Sequence, residues 1–295
     1  MVKNPFKGYG VALVTPFLDD TDVDYNSLAE LIEFQIGNGV DFICALGTTA
    51  ETPTLEDDEY QRLISFISDR VRGRVPIMVG CSDNCTTRLC KRLMSVDFKD
   101  AKAVLVSAPA YNKPSQDGMY QHFMKVVAAS PIPVVLYNVP GRTGVNMTAA
   151  TILRLAESTD RFIAIKEASG NMEQIGELIS GAPKGFGVLS GDDSLAVELI
   201  GKGAVGVVSV TGNAIPATFG KMVHLAIEGK TDEASVINDS LSSSYALLFK
   251  EGSPSGIKAL MAKRSMLRNV LRLPMTPVSD ALKYQIINGF AKYQK

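Results

Sequence analysis

Histidine is almost absent from this sequence: His122 and His224 are the only two in 295 residues, and only four cysteines accompany them. Cys81, Cys85 and Cys90 are spaced C-x3-C-x4-C, which matches neither a CxxC motif nor a zinc pattern, and Cys44 lies alone in an apolar run. So small a supply of nitrogen and sulfur ligands predicts no metal site and four reduced, structural thiols. Long hydrophobic runs are missing too. Nowhere do eighteen apolar residues follow one another, so no membrane-spanning helix is expected. The opening stretch MVKNPFKGYGVALVTPF is interrupted by Gly8 and Gly10, closed by Pro16, and lacks a small-residue cleavage site. Its apolar segment is too short for a secretion signal, which predicts a cytoplasmic protein. An excess of either charge is also lacking: 30 basic side chains meet 31 acidic ones, for a net charge of -1. Without a dense Lys/Arg stretch interleaved with aromatics, neither nucleic acid nor a membrane surface is an expected partner.

What is present is an ordinary globular composition, 46% hydrophobic and 21% charged, which excludes disorder. The length suits two average domains, or one α/β barrel of about 250 residues with an appendage. The pattern along the chain favours the second. Short apolar or β-branched runs recur: GVALVT from 10, FICALG from 42, PIMVG from 76, AVLVSAP from 103, PVVLYN from 133, FIAIKE from 162, FGVLSG from 186 and AVGVVSV from 204. Between them lie amphipathic stretches such as YNSLAELIEFQIGNG and DDEYQRLISFISDRV, with Leu and Ile at three- or four-residue spacing. Continuously apolar strands imply burial on both faces, and strand–helix alternation implies a parallel sheet. Eight units predict a closed (β/α)8 TIM barrel rather than a doubly wound open sheet, which has a switch point and usually fewer units. Beyond about residue 228 the strands stop. DEASVINDSLSSSYALLFK, SGIKALMAKRSMLRNV and VSDALKYQIINGFAKY read as three helices, giving a barrel over 1–228 and a small C-terminal helical domain over 229–295.

Two motifs resemble nucleotide sites and fail on context. GKGAVG, Gly201 to Gly206, matches G-x-G-x-x-G but follows a helix and precedes a strand, the reverse of a dinucleotide site. EGKT, Glu228 to Thr231, lacks the first glycine of a P-loop. FIAIKEAS, residues 162 to 169, is more informative, because it carries Lys166 to the end of an apolar run. A lysine normally keeps its ammonium in water, and a desolvated one loses preference for the charged form and becomes a nucleophile. From this stretch alone a second reading stays open, a strand-end lysine that reaches solvent or pairs with Glu167.

Polar residues gather at the ends of other strands as well: GTTAET after the second, APAYNKPS after the fourth, YNVPGRTG after the fifth and SGDD after the seventh. A barrel of this class works at the carboxyl ends of its strands, so Thr48, Thr49, Tyr111, Tyr137, Arg142 and Lys166 are expected to face one pocket. Singly, the threonines suit a helix cap, the tyrosines a packed core and Arg142 a surface ion pair. Shared placement on one rim points instead to a site.

In combination, GTTAE, YNVPGRTG and IKEASGN resemble the signatures of the pyruvate-dependent class I aldolase family, which includes N-acetylneuraminate lyase. AYNKPSQDGMYQHF, LSGDD and LRLPMTP are similar to the branch that condenses pyruvate with aspartate semialdehyde at the entry to diaminopimelate and lysine biosynthesis, and the match runs through nearly the whole chain. The resemblance implies a lyase in which Lys166 forms a Schiff base with pyruvate and no separate cofactor is used. A free lysine is protonated at neutral pH, so the pocket has to favour the neutral amine by excluding water. Tyr137 would move protons, with Thr48 and Tyr111 extending the relay; Tyr111 would come from a neighbouring subunit of a homo-oligomer, a tetramer built from tight dimers. Thr49 would hold the pyruvate carboxylate and Arg142 that of aspartate semialdehyde, a task suited to a guanidinium fork. Gly191 and Val208 would line the pyruvate pocket.

The sequence also departs from the family pattern. Ala50 stands where glycine is usual, which adjusts a turn, and SPSGIK from 253 lacks a second proline. In feedback-regulated members a His, a Glu and a Tyr receive free lysine at a dimer interface. The matching positions here carry Tyr60, Arg88 and Ala110, with Asn84 retained. An arginine in place of a carboxylate repels the ammonium of lysine, so the regulatory site is read as degenerate and lysine inhibition as weak or absent. Alternatives at this point are a sibling aldolase acting on N-acetylneuraminate or a 2-keto-3-deoxy sugar acid, and a non-catalytic keto-acid binding protein. Arg142 speaks against the first and the hydroxyl set against the second. A phosphosugar enzyme is disfavoured, because Asp192 and Asp193 oppose a dianion.

Overall fold

Each of the eight apolar runs becomes a strand in the computed structural model, which describes residues 4 to 293. They are β1 (Gly8–Ala12), β2 (Phe42–Ala45), β3 (Ile77–Gly80), β4 (Ala103–Ser107), β5 (Val134–Asn138), β6 (Phe162–Glu167), β7 (Gly187–Ser190) and β8 (Gly206–Ser209). Neighbours in sequence are neighbours in the sheet, all parallel, and β8 pairs back onto β1, closing the predicted (β/α)8 barrel. Helices α1 (Tyr25–Gly37), α2 (Asp57–Val71), α3 (Thr86–Ser95), α4 (Gln116–Ala129), α5 (Pro140–Thr143), α6 (Ala149–Ser158), α7 (Met172–Gly181), α8 (Ala196–Gly201) and α9 (Pro216–Ile227) alternate with the strands. α2 matches the run DDEYQRLISFISDRV residue for residue, its start fixed by a capping box between Glu56 and Glu59. GKGAVG joins α8 to β8, and Glu228 to Lys230 is a turn after α9.

The strands read as continuously apolar because they bury two different surfaces. Outward side chains such as Val104, Leu136 and Ile165 meet the helices in one large cluster, while Ala12, Cys44, Met78, Leu105, Val135, Tyr137, Ala164 and Val208 fill the barrel interior. Pairing of β5 with β6 shifts between Val134 and Val135: Val134 faces Phe162, Val135 faces Ala164, and Ile163 is the extra residue. Beyond this bulge the alternation is regular, with Ala164 and Lys166 inward and Ile165 and Glu167 outward.

The C-terminal part contains α10 (Thr231–Tyr245), α11 (Ser255–Lys263) and α12 (Asp280–Gly289). All three are shorter than their sequence runs, α12 ending at Gly289 before a 3-10 turn at Ala291–Tyr293. α10 gives way to a 3-10 turn at Ala246–Leu248, and α11 stops at Lys263 instead of continuing to 270. Ser265 takes a left-handed conformation, φ 56, which reverses the chain and returns Leu267 and Leu271 to buried positions. α11 and the segment after it close on the β2–α2 loop and the first turn of α2: Lys258 meets Glu51 and Arg272 meets Glu59. None of the described helices is long and apolar enough to cross a membrane.

Candidate active site

Lys166 lies near the carboxyl end of β6 on the inward face, and only 7% of its surface is exposed. This excludes the reading of a lysine that reaches solvent. Nor does it pair with Glu167, whose side chain leaves the strand on the opposite face; among the described residues no carboxylate lies within ion-pair distance of Lys166. Its register partner is Tyr137 on β5, and Nζ sits 4.5 Å from the centroid of the Tyr137 ring. Tyr137 is likewise 7% exposed and belongs to the interior cluster. Cys44, inward on β2, is close enough for the charge of Lys166 to act on its thiol, which burial nevertheless pushes up.

Behind this pair, on the outer face, stands a polar network that the sequence reading missed. Asn138 and Glu167 are register partners one residue beyond Tyr137 and Lys166, and the Asn138 amide donates to the Glu167 carboxylate at 3.0 Å. Asn138 also donates to Asn146 Oδ1 at 2.8 Å and accepts from the Met147 N–H at 3.0 Å, which anchors the far end of the loop carrying Arg142. Glu167 accepts from the Ser169 N–H at 2.6 Å. Burial pushes its carboxyl up, against the hydrogen bonds from Ser169 and Asn138 that favour the charged form. Strand alternation was the available signal: a polar residue following an inward lysine faces out and needs a partner there.

Thr48 and Thr49 follow β2 in a 3-10 turn, Thr48–Ala50, with Thr49 buried and Thr48 half-buried. Gly191, after β7, packs against the lysine itself. A Cβ there meets Ala168 Cβ at 2.7 Å and Lys166 Cε at 3.2 Å, so a larger residue displaces the amine. Val208 is buried in the interior cluster with Tyr137. The two aspartates after β7 divide. Asp192 is exposed, whereas buried Asp193 accepts the Thr211 N–H at 2.7 Å and braces the end of β8.

Two residues of the expected set stand apart. Arg142 lies exposed on α5, the single turn after β5, held by its N–H to Val139 O at 2.9 Å. Tyr111 is 89% exposed and has φ 70, a conformation that a tyrosine rarely adopts; its N–H donates to Thr143 O at 3.1 Å, docking the β4 loop onto α5. Its ring therefore leaves its own chain rather than entering the barrel.

The four positions of the degenerate regulatory site are spread over neighbouring structure. Tyr60 and Arg88 line a cavity of about 630 Å³ together with Asp57, Asp83, Lys91 and Arg92. Tyr60 is buried, donates to Gly80 O at 2.7 Å and carries the Arg92 guanidinium 4.2 Å above its ring. Arg88 binds Asp83 through two nitrogens, at 2.6 and 2.7 Å. Asn84 is engaged elsewhere, accepting the Ala110 N–H at 2.8 Å. Both histidines have ordinary structural partners: His122 Nδ1 lies 2.8 Å from the Thr86 hydroxyl, and burial pushes its pKa down to about 4, while His224 meets Asp41 at 2.7 Å. All four cysteines are free, and Cys85 is exposed rather than packed in the interior. Among the described residues no cluster of three or more His, Cys, Asp or Glu is placed to hold a metal ion.

A buried lysine beside a phenol, at the carboxyl mouth of a parallel barrel, is equipped for covalent chemistry on a carbonyl. Comparison with known proteins gives consistent results. The model of the dihydrodipicolinate synthetase family matches residues 5–289. A 4-hydroxy-tetrahydrodipicolinate synthase of Phocaeicola vulgatus is 50% identical over 277 residues, covering 94% of this chain and 93% of the relative. Among solved structures, the dihydrodipicolinate synthase of Acinetobacter baumannii complexed with pyruvate superposes with a TM-score of 0.94 at 35% identity, over 97% of this chain and 98% of that one. A monomeric dihydrodipicolinate synthase variant gives a TM-score of 0.94 at 34% identity, over 98% and 97% of the two chains.

Proposed function

This chain belongs to the dihydrodipicolinate synthetase family, and from that membership we propose that it condenses pyruvate with aspartate semialdehyde to give 4-hydroxy-tetrahydrodipicolinate, at the entry to diaminopimelate and lysine biosynthesis. The observation that carries the reading is the buried Lys166 with Nζ 4.5 Å from the Tyr137 ring. The Lys166 amine adds to the ketone carbon of pyruvate, and loss of water from the carbinolamine leaves an iminium. That cation withdraws electrons from the adjacent methyl group, which gives up a proton to form an enamine. The enamine carbon bonds to the aldehyde carbon of the second substrate, whose oxygen takes up a proton; the substrate's own amino group then adds to the iminium carbon, closing the ring, and expels the Lys166 amine, so that one water is lost overall. The chemistry runs on the chain's own amine, with no electron carrier required.

In this scheme Tyr137 hands protons to and from the carbinolamine and the methyl carbon, and Thr48 relays them. Thr49 holds the pyruvate carboxylate, and Gly191 and Val208 shape the space around the three-carbon chain. The full exposure and left-handed backbone of Tyr111 support its delivery to the site of a second copy, hence a homo-oligomer, which we take to be a tetramer of tight dimers. Arg142, on the rim, receives the carboxylate of aspartate semialdehyde. The coupled assay with that aldehyde, run beside N-acetylneuraminate and 2-keto-3-deoxygluconate, tests the assignment: consumption of the aldehyde alone is expected. Arg142→Gln is expected to raise KM for the aldehyde by about 10- to 100-fold, the worth of a charge-assisted hydrogen-bond pair, with KM for pyruvate unchanged. Equal effects on both substrates would remove Arg142 from this role.

The cavity beside Tyr60 and Arg88 supports weak or absent feedback by lysine. Three cations border it, and Asp83 and Asp57 are already engaged by Arg88 and Arg92. An added ammonium therefore meets repulsion without a free carboxylate to offset it. Steady-state assays with L-lysine are expected to show full activity; inhibition at sub-millimolar lysine refutes the reading.

A further inference from the structure

The Thr48–Ala50 turn is flanked by two non-glycine residues in the left-handed conformation, Leu46 at φ 53 and Glu51 at φ 56. Such a backbone persists only where its surroundings hold it. For Glu51 the surroundings come from the other end of the chain. Its Oε1 lies 2.5 Å from Nζ of Lys258 on α11, and its Oε2 accepts the Arg272 N–H at 3.0 Å. Both charged side chains are essentially inaccessible, at 0% for Lys258 and 1% for Glu51. Lys258 also donates to Val270 O at 3.0 Å and lies 4.3 Å from the Phe17 ring. The Glu51 main chain is tied into the turn itself, with its N–H on Thr48 O and its carbonyl accepting from both the N–H and the hydroxyl of Thr54. Arg272 completes the closure by binding both oxygens of Glu59 at 2.6 Å and reaching Thr54 O and Thr21 O.

A buried ion pair is a poor device for stability alone, since apolar side chains of equal volume usually do as well. It does fix a position, because neither charge tolerates displacement from the other. Resting on the reading that Thr48 and Thr49 serve the keto acid, we propose that Glu51 and Lys258 are positioning residues, through which the C-terminal segment sets the Thr48–Thr49 turn for pyruvate. The inward-facing charges around Lys258 are Glu51 and Arg272, with Glu59 beyond Arg272, so the cluster is neutral when all four are ionised. Burial pushes the Lys258 ammonium down to about 8, against the pull of Glu51.

Two variants test this by separating charge from reach. Glu51→Asp keeps Lys258 compensated but withdraws the carboxylate by one methylene. The double variant Glu51→Gln with Lys258→Met removes both charges and leaves no ion buried alone. In each, KM for pyruvate is expected to rise by about 10- to 100-fold, the scale of a misplaced binding group, with KM for aspartate semialdehyde within about twofold, because Arg142 stands on another loop. The thermal midpoint of Glu51→Asp is expected to stay near that of the unmodified protein, and borohydride trapping of pyruvate at subsaturating concentration to slow by the same factor. A merely structural pair lowers the melting temperature and leaves KM alone. An unchanged KM for pyruvate in folded Glu51→Asp overturns the proposal. Failure of the unmodified protein to trap pyruvate on Lys166 overturns the functional reading, and this one with it.

Discussion

Lys166→Met is expected to lose turnover almost entirely, with kcat falling by about ten-thousandfold to a millionfold, as when the nucleophile of a covalent mechanism is removed. Methionine matches the length of the lysine stem and carries no amine, so the barrel interior stays filled while the Schiff base becomes impossible. Stability is expected to move the other way. Lys166 is 7% exposed and has no carboxylate partner among the described residues; an apolar replacement therefore removes a desolvated polar group. A melting temperature at or above that of the unmodified protein, together with lost activity, separates chemistry from misfolding. Mass spectrometry supplies the second readout: borohydride with pyruvate adds mass to the peptide containing residue 166 in the unmodified protein and none in the variant. Retention of more than about one per cent of kcat, two decades above the expected range, sinks the covalent scheme.

That lysine illustrates what a sequence conveys about such a site. The eight strands were legible because each is buried on both sides, which leaves runs such as FIAIKE almost unbroken. The same property hides orientation: a run apolar on both faces does not say which face Lys166 takes. The bulge at Val134 and Val135 shifts the register of β5 against β6 before Tyr137 comes to face Lys166, and it depends on how two strands twist together, which neither run records. Helix α2 was legible to the residue because its capping box and its apolar spacing agree. α11 was not, since Ile257, Leu260 and Met261 and then Leu267, Val270 and Leu271 keep three- and four-residue spacing through SGIKALMAKRSMLRNV and the residue after it, and the reversal at Ser265 serves the burial of Leu267 and Leu271.

Separation in sequence hid the rest. Glu51 and Lys258 stand 207 residues apart, and each looks like a surface charge in its own neighbourhood. Asn138 and Glu167 are 29 apart and become partners only through the register that also joins Tyr137 to Lys166. One pairing of two strands thus sets the reactive amine beside its phenol on the inner face and anchors the loop of Arg142 on the outer face. Because the two faces share a register, a change that slips β6 by one residue would exchange Lys166 for Glu167 in the interior and dismantle both halves together.

Tyr137→Phe isolates the remaining chemical claim. The ring that packs 4.5 Å from Lys166 Nζ is kept, along with its contacts in the interior cluster, and only the hydroxyl is lost. If the role of Tyr137 were to pack, kcat would hardly move. A proton-transfer role predicts a fall of about a hundredfold to ten-thousandfold, the usual contribution of a positioned acid or base. The loss is expected in the steps that need a proton moved, so the pyruvate adduct should still form on Lys166, more slowly, and should be trapped by borohydride. Exchange of the pyruvate methyl hydrogens with deuterated solvent, measured without the aldehyde, should slow by a comparable factor, because forming the enamine requires removal of one of them. Unimpaired exchange in a variant that turns over slowly would move Tyr137 out of enamine formation and into the aldehyde half of the reaction, where the carbonyl oxygen also takes a proton. The pairing of a partly active adduct with arrested exchange is what distinguishes a phenol that shuttles protons from one that fills space.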